Sequence, residues 1–129
     1  MRRIHLALLL TFLASGGVAG ASGCEALTAQ ATARYGLPEG LLTAIARTES
    51  GRAQGGSGDP RAWPWTSNIR GRGHYYDSKG HALKHLEAVA ASGERSFDVG
   101  CMQLNYRWHG ARFDTLAQMI DPASNVDYA

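Results

Sequence analysis

The sequence has 129 residues, with 13 Lys and Arg against 11 Asp and Glu, 44% hydrophobic and 19% charged residues, 16 Gly and only 4 Pro. That length holds one small domain with a single core, and the composition excludes a disordered tail. Setting aside Arg2 and Arg3 leaves 11 basic against 11 acidic residues, which argues against nucleic acid or an anionic membrane as the main partner, since both need a dense basic face.

At the N-terminus, Arg2 and Arg3 precede the apolar run Ile4–Leu13, and small residues follow through Gly23. Charged, apolar, then small is the layout of a secretory signal peptide, and Ala19-Gly20-Ala21 supplies the small-x-small cleavage pattern. Residues 1–21 are expected to be removed and residues 22–129 to form the domain, in the periplasm or secreted. A transmembrane anchor needs about 20 apolar residues, more than this run holds. Export favours a disulfide between Cys24 and Cys101. By the chain-entropy argument a loop that long is worth about 4–4.5 kcal/mol, much of the net stability of so small a domain. The rival is lipidation of Cys24, because Ala21-Ser22-Gly23-Cys24 loosely resembles a lipobox; the two exclude one another.

Cys24, Leu27, Ala31 and Tyr35 recur at helical spacing, and Gly36 is a natural stop. Pro38 suits the first turn of a second helix, whose stripe is Leu41, Leu42, Ile45 and Ala46 and which ends near Ser50, with Gly51 past the end. From Gly51 to Gly73 there is no helical period, and Thr66–Arg70 with Gly73–Tyr76 suggests a short hairpin around Gly71. Ser78 caps a predicted third helix with Ala82, Leu83, Leu86, Val89 and Ala90 on its buried side and Gly93 as its stop. Ser96 to Asn105 reads as a turn or loop, and a short helix is predicted over Thr115–Ile120. Asp121-Pro122 opens a last segment that reads as cut off mid-helix at Ala129.

Glu49 is the residue that asks for an explanation. Leu41, Ile45 and Glu49 share one side of the second helix, and that side is expected to face the core. Desolvation and a position in the last helical turn both favour the protonated form of a carboxyl, the form a general acid needs. The alternative is an end residue that swings out to solvent or pairs with Arg52. Other constellations are weaker. His81 and His85 are four apart without a zinc-protease Glu, which favours a solvated face over a metal site. Arg70, Arg72 and His74 beside Tyr75 and Tyr76 make a small basic patch, more in keeping with a local structural or sugar-binding part than with RNA. No Gly-x-Ser-x-Gly element occurs. Trp63-Pro64-Trp65 suggests an aromatic platform for sugar rings, with buried core tryptophans as the ordinary alternative.

Two motifs together resemble the soluble, goose-lysozyme-like (SLT) lytic transglycosylases. One runs from Tyr35-Gly36-Leu37 through Leu41–Ala46 into Thr48-Glu49-Ser50-Gly51; the other is Asp98-Val99-Gly100-Cys101-Met102-Gln103-Leu104-Asn105. Between them, Ala62–Thr66, Gly71-Arg72-Gly73 and Tyr75-Tyr76 are similar to one branch of small exported members. The resemblance implies an α+β, predominantly α, lysozyme-like fold with a cleft over a small β element. It implies cleavage of peptidoglycan glycan strands, with Glu49 as catalytic acid and base. It also implies substrate contacts from Ser50, Gly100, Met102, Gln103, Asn105, Trp63 and Tyr75, and no metal or organic cofactor. Cys101 stands where many members carry an apolar residue. The family continues into a helix pair with an Ala-x-x-x-Tyr element that no position here matches, Tyr128 included, so the chain is expected to be the N-terminal majority of the domain. An envelope-spanning secretion, pilus or flagellar complex is the class of partner implied. The alternatives are a non-catalytic peptidoglycan-binding module of such a machine, and a hydrolytic lysozyme that differs only in the attacking group.

Overall fold

The computed structural model describes residues 22–53 and 58–129, so the expected leader and its cleavage site lie outside the described residues. Within that span the chain is mixed α+β, with six α-helices and two small antiparallel sheets. Helix α1 (Ser22–Tyr35) stops at Gly36, whose φ of 63° supplies the left-handed residue that ends a helix. Helix α2 (Leu41–Ser50) begins later than Pro38 suggested. Gly40 takes a φ of 76°, so Pro38 to Gly40 form a turn and the helix restarts at Leu41.

The segment after α2 folds back on it. Strands β1 (Gly51–Arg52) and β2 (Arg61–Ala62) pair antiparallel, Gly51 with Ala62 and Arg52 with Arg61. The expected hairpin is present as β3 (Thr66–Ile69) and β4 (Arg72–Tyr75), turning at Arg70 and Gly71. Both turn residues have positive φ, 53° and 77°, as the tight two-residue hairpin with the right twist requires.

Helix α3 (Lys79–Ala91) has its predicted cap, with the Ser78 hydroxyl accepting from the His81 N–H at 3.2 Å, and Gly93 at φ 91° beyond its end. Ser96 to Asn105 is more ordered than a loop. Strands β5 (Phe97–Val99) and β6 (Leu104–Asn105) flank a tight turn, and β5 pairs with β3, giving the order β4-β3-β5-β6. Three short helices follow: α4 (Tyr106–His109), continued by a 3-10 turn, then α5 (Leu116–Met119) and α6 (Pro122–Tyr128), the last two capped by the side chains of Thr115 and Asp121.

Two buried clusters hold these parts. Ala82, Leu86, Phe97, Val99, Leu104, Met119 and Ile120 fill the space between α3, the four-stranded sheet and α5. Cys24, Ala31, Ala46, Ala62, Cys101 and Val126 fill the space between α1, α2 and α6. Met102 packs against both clusters. Cys24 and Cys101 are joined by a disulfide with their Cα atoms 5.7 Å apart, which occupies the Cys24 sulfur and fits an oxidising, non-cytoplasmic compartment. No helix among the described residues is long and apolar enough to cross a membrane.

Candidate functional site

The expected orientation of α2 is corrected by the structure. Its buried residues are Ala46 and Ser50, whereas Leu41 and Ile45 are 42% and 38% exposed and Glu49 is exposed. The helix rests on α1 and β2 through the Leu42–Ala46–Ser50 flank, so the Leu41–Ile45–Glu49 side looks outward. Glu49 therefore stands at the helix end as an open carboxylate beside an apolar strip. Among the described residues it makes no ion pair, with Arg52 or with any other cation.

Ser50 and Gly51, the next two residues, are fixed from several sides. Ser50 is fully buried, and its hydroxyl lies 2.9 Å from the Ala46 carbonyl and 2.8 Å from the Cys101 carbonyl, so its single proton is shared between them. This replaces the expected contact between Ser50 and a sugar or Glu49: the hydroxyl faces inward and ties α2 to the second motif. The Ser50 carbonyl accepts from the Trp63 N–H at 3.0 Å, and the Gly51 carbonyl accepts from the Tyr75 hydroxyl at 2.7 Å. A Cβ at Gly51 would collide with the Arg47 carbonyl, so this reversal of the chain needs glycine.

Trp63 is half-buried and donates its indole N–H to the Tyr76 carbonyl at 2.8 Å; Tyr75 is 46% exposed. The guanidinium of Arg52 lies 4.9 Å from the Trp63 ring centroid and 5.8 Å from that of Tyr75. Part of the expected sugar platform is thus covered by a stacked cation, worth about 0.5–2 kcal/mol per ring.

The second motif forms the turn between β5 and β6. Gly100 has φ 81° and is buried, and a Cβ there would sit 2.5 Å from Asn125 Nδ2, so this glycine makes room for Asn125 rather than for a substrate. Asn125, itself fully buried, donates to the Val99 and Met119 carbonyls at 3.0 Å each and accepts from the Met102 N–H at 2.9 Å. Met102, expected to line a cleft, is half-buried between the two cores. Gln103 holds a left-handed φ of 48° and donates from Nε2 to the Gly100 carbonyl at 3.0 Å, leaving its side-chain oxygen without a donor among the described residues. Asn105 is used at both ends: it donates to Asp98 at 2.8 Å and caps α4 by accepting from the Arg107 N–H at 3.1 Å. Those two bonds give Asn105 a structural part in joining β5 to α4.

His81 is exposed, but His85 is not part of a solvated face. Its Nδ1 lies 2.7 Å from the Tyr76 hydroxyl, which lies 2.9 Å from Ser67 Oγ, and burial pushes the Tyr76 phenol above its ordinary range. Arg70 of the small basic patch is bound to Glu94 at 2.7 Å, which holds the Glu94 carboxyl below its usual range. Among the described residues no group of three or more His, Cys, Asp or Glu is placed to hold a metal ion.

The structure thus brings Glu49, Ser50, Trp63 and Tyr75 to one end of α2 and connects them through Cys101 to the turn carrying Gly100, Met102 and Gln103. Sequence reasoning missed Asn125 and the stacking of Arg52. The Asp121-Pro122 start of α6 pointed to a helix near Asn125, but nothing local marks an asparagine that fixes a turn 23 residues upstream. No family model matches the chain, and no curated protein or solved structure matches it.

Proposed function

We propose that the chain is a peptidoglycan lytic transglycosylase, cleaving the β-1,4 bond between N-acetylmuramic acid and N-acetylglucosamine, on what we read as a lysozyme-like fold. One observation carries the reading: the buried hydrogen bond from Ser50 to the Cys101 carbonyl, at 2.8 Å, couples the element bearing Glu49 to the turn bearing Gln103. These are the two motifs on which the resemblance rests, and they meet at Ser50, the residue next to Glu49, whose exposed carboxyl makes no ion pair among the described residues.

Protonated Glu49 donates to the glycosidic oxygen as the bond to the muramyl anomeric carbon breaks. The muramyl 6-hydroxyl then attacks that carbon and gives its proton back to Glu49, leaving a 1,6-anhydro end. One carboxyl serves as acid and then as base, so the second carboxylate of an ordinary glycosidase is not required. Glu49 is open to solvent in the free chain, and a glycan strand lying along the Leu41–Ile45 side excludes water from it. The oxygen of Gln103 is the acceptor offered to a sugar hydroxyl or amide.

The test is mass spectrometry of peptidoglycan treated with the full chain and with its Glu49→Gln variant. Anhydromuramyl products from the first and none from the second are expected. Ordinary reducing ends make the protein a hydrolase, undiminished cleavage by the variant removes Glu49 from the chemistry, and retention on insoluble peptidoglycan without soluble products makes it a binding module.

A further inference from the structure

Arg52 differs from its neighbours in what it does with its charge. Arg34, Arg47, Arg61 and Arg70 each donate hydrogen bonds to a carboxylate. Arg95 lies over the single ring of Tyr106 at 4.9 Å, and Arg72, Arg107 and Arg112 donate to no carboxylate among the described residues. Arg52 alone among the described arginines lies against two rings. It donates no hydrogen bond to any described residue. Its guanidinium is held by the rings of Trp63 and Tyr75, and its nearest carboxylate, Asp77, is 3.9 Å away with a side chain 84% exposed. An ion pair that long and that wet contributes little. The result is a planar cation, held against aromatic rings, with N–H groups that meet no acceptor among the described residues, which is the geometry for receiving a carboxylate through two parallel hydrogen bonds.

Its position gives that carboxylate a source. Arg52 lies three residues after Glu49, on the strand that leaves the end of α2, and the residues between them are pinned by Trp63 and Tyr75. The sugar rings of a glycan strand are uncharged. Its carboxylates are carried by the lactyl arm of each muramyl residue, as the lactyl carboxylate itself where that is free or as carboxylates of the peptide amide-linked to it.

Resting on the reading above, we infer that Arg52 is a specificity-determining residue that binds a carboxylate borne by the muramyl lactyl arm. The stack on Trp63 and Tyr75 preorganises the guanidinium, so little rotamer freedom is lost on binding. Asp77 is the group the ligand displaces.

Calorimetric titration of the full chain, in a Glu49→Gln background to stop turnover, tests this with three soluble ligands. They are an N-acetylglucosamine tetramer without carboxylates, a peptide-free tetrasaccharide alternating N-acetylglucosamine and N-acetylmuramic acid, and the same tetrasaccharide carrying its peptides. The carboxylate-bearing ligands are expected to bind about 10- to 100-fold tighter than the neutral tetramer, the range for a hydrogen bond to a charged group. Arg52→Met, which keeps an apolar stem over the rings, should erase that advantage while changing affinity for the neutral tetramer by no more than about twofold. Arg52→Lys keeps the charge without the planar fork and should retain only part of the advantage. An advantage confined to the peptide-bearing ligand locates the carboxylate on the peptide. One confined to the peptide-free ligand locates it on the lactyl group, whose carboxyl is an amide once a peptide is attached. One shared by both means that Arg52 takes either carboxylate.

Equal affinity for all three ligands, or an advantage that survives Arg52→Met, overturns the inference and leaves the glycan reading standing. Failure to bind any of them overturns both. Binding with the expected preference, but no cleavage by the native chain, leaves the subsite and removes the enzymatic reading.

Discussion

Ser50 and Cys101, one at the end of α2 and the other in the turn between β5 and β6, are joined by a buried hydrogen bond of 2.8 Å from hydroxyl to carbonyl. Both residues are fully buried, so water cannot replace this donor. Ser50→Ala removes one oxygen without changing the packing outline and deprives a buried carbonyl of its partner, at a cost of about 1–3 kcal/mol. A fall in the urea midpoint with an unchanged slope is the expected result. An unmoved midpoint would mean the two motifs are held together by something else.

The same turn is also held by the disulfide to Cys24. Replacing both cysteines by serine is expected to cost about 2–5 kcal/mol, because the bridge closes most of the described chain into one loop. Thermal unfolding with and without a reductant should show the same loss in the native chain and no dependence on reductant in the double variant. Similar melting temperatures in all four samples would make the bridge dispensable.

Asn125 is the third support of that turn, and the largest single loss is expected there. Asn125→Ala strips partners from the Met102 N–H and from the carbonyls of Val99 and Met119, and leaves a gap under Gly100. A cost of about 3 kcal/mol or more follows from the unsatisfied groups alone. Asn125→Asp keeps an acceptor for Met102 but cannot donate, so its denaturant midpoint should fall between the native and alanine values only if the acceptor half of the residue matters.

What the sequence disclosed and what it concealed follow from the range of the forces involved. The Ser78 cap, the Gly36 and Gly93 stops and the Arg70-Gly71 turn are local, and each was readable because a few neighbouring residues determine it. The strands at Phe97–Val99 and Leu104–Asn105 carry a loop-like sequence because the first is set by pairing with β3, a segment far upstream, and the second is a two-residue strand that pairs with the first. The side of α2 was misjudged for a related reason. Leu41, Leu42, Ile45 and Ala46 form a broad apolar arc, and periodicity gives the arc without saying which flank α1 and β2 will cover. Residues with roles set by distant partners, Arg52 by Tyr75 and Asn125 by Met102, carry no local mark at all.

That misjudged flank is itself testable. Leu41→Ser and Ile45→Ser should each change stability by no more than about 0.5 kcal/mol, because both side chains are already well exposed. Leu42→Ser, on the flank against the Cys24–Ala46 cluster, should cost about 1–3 kcal/mol. If the order is reversed, the outward face of α2 is packed in solution. If stability is unaffected but glycan affinity falls for Ile45→Ser, the strip beside Glu49 touches substrate.

Acid should loosen the α1–α2 pairing before it reaches the cores. Glu25 receives hydrogen bonds from Arg47 at 2.8 and 3.2 Å and from Arg61 at 2.6 Å. The Arg47 hydrogen bond is the largest influence and holds the Glu25 carboxyl below its ordinary range, with the help of Arg61 and against the opposing effect of burial, which ranks between the two. A carboxyl that ionises below its unfolded value near 4.5 stabilises the fold at all higher pH, and that contribution disappears as pH falls through the lowered value. Glu25→Gln should therefore be less stable than the native chain near neutral pH, and the gap should close as pH falls below 4.5 and through the lowered value of Glu25. Urea midpoints of the two chains across that interval measure it. A gap that stays constant down the whole range would assign the cost of the variant to packing rather than to charge, and the pair of arginines would then hold α1 by shape.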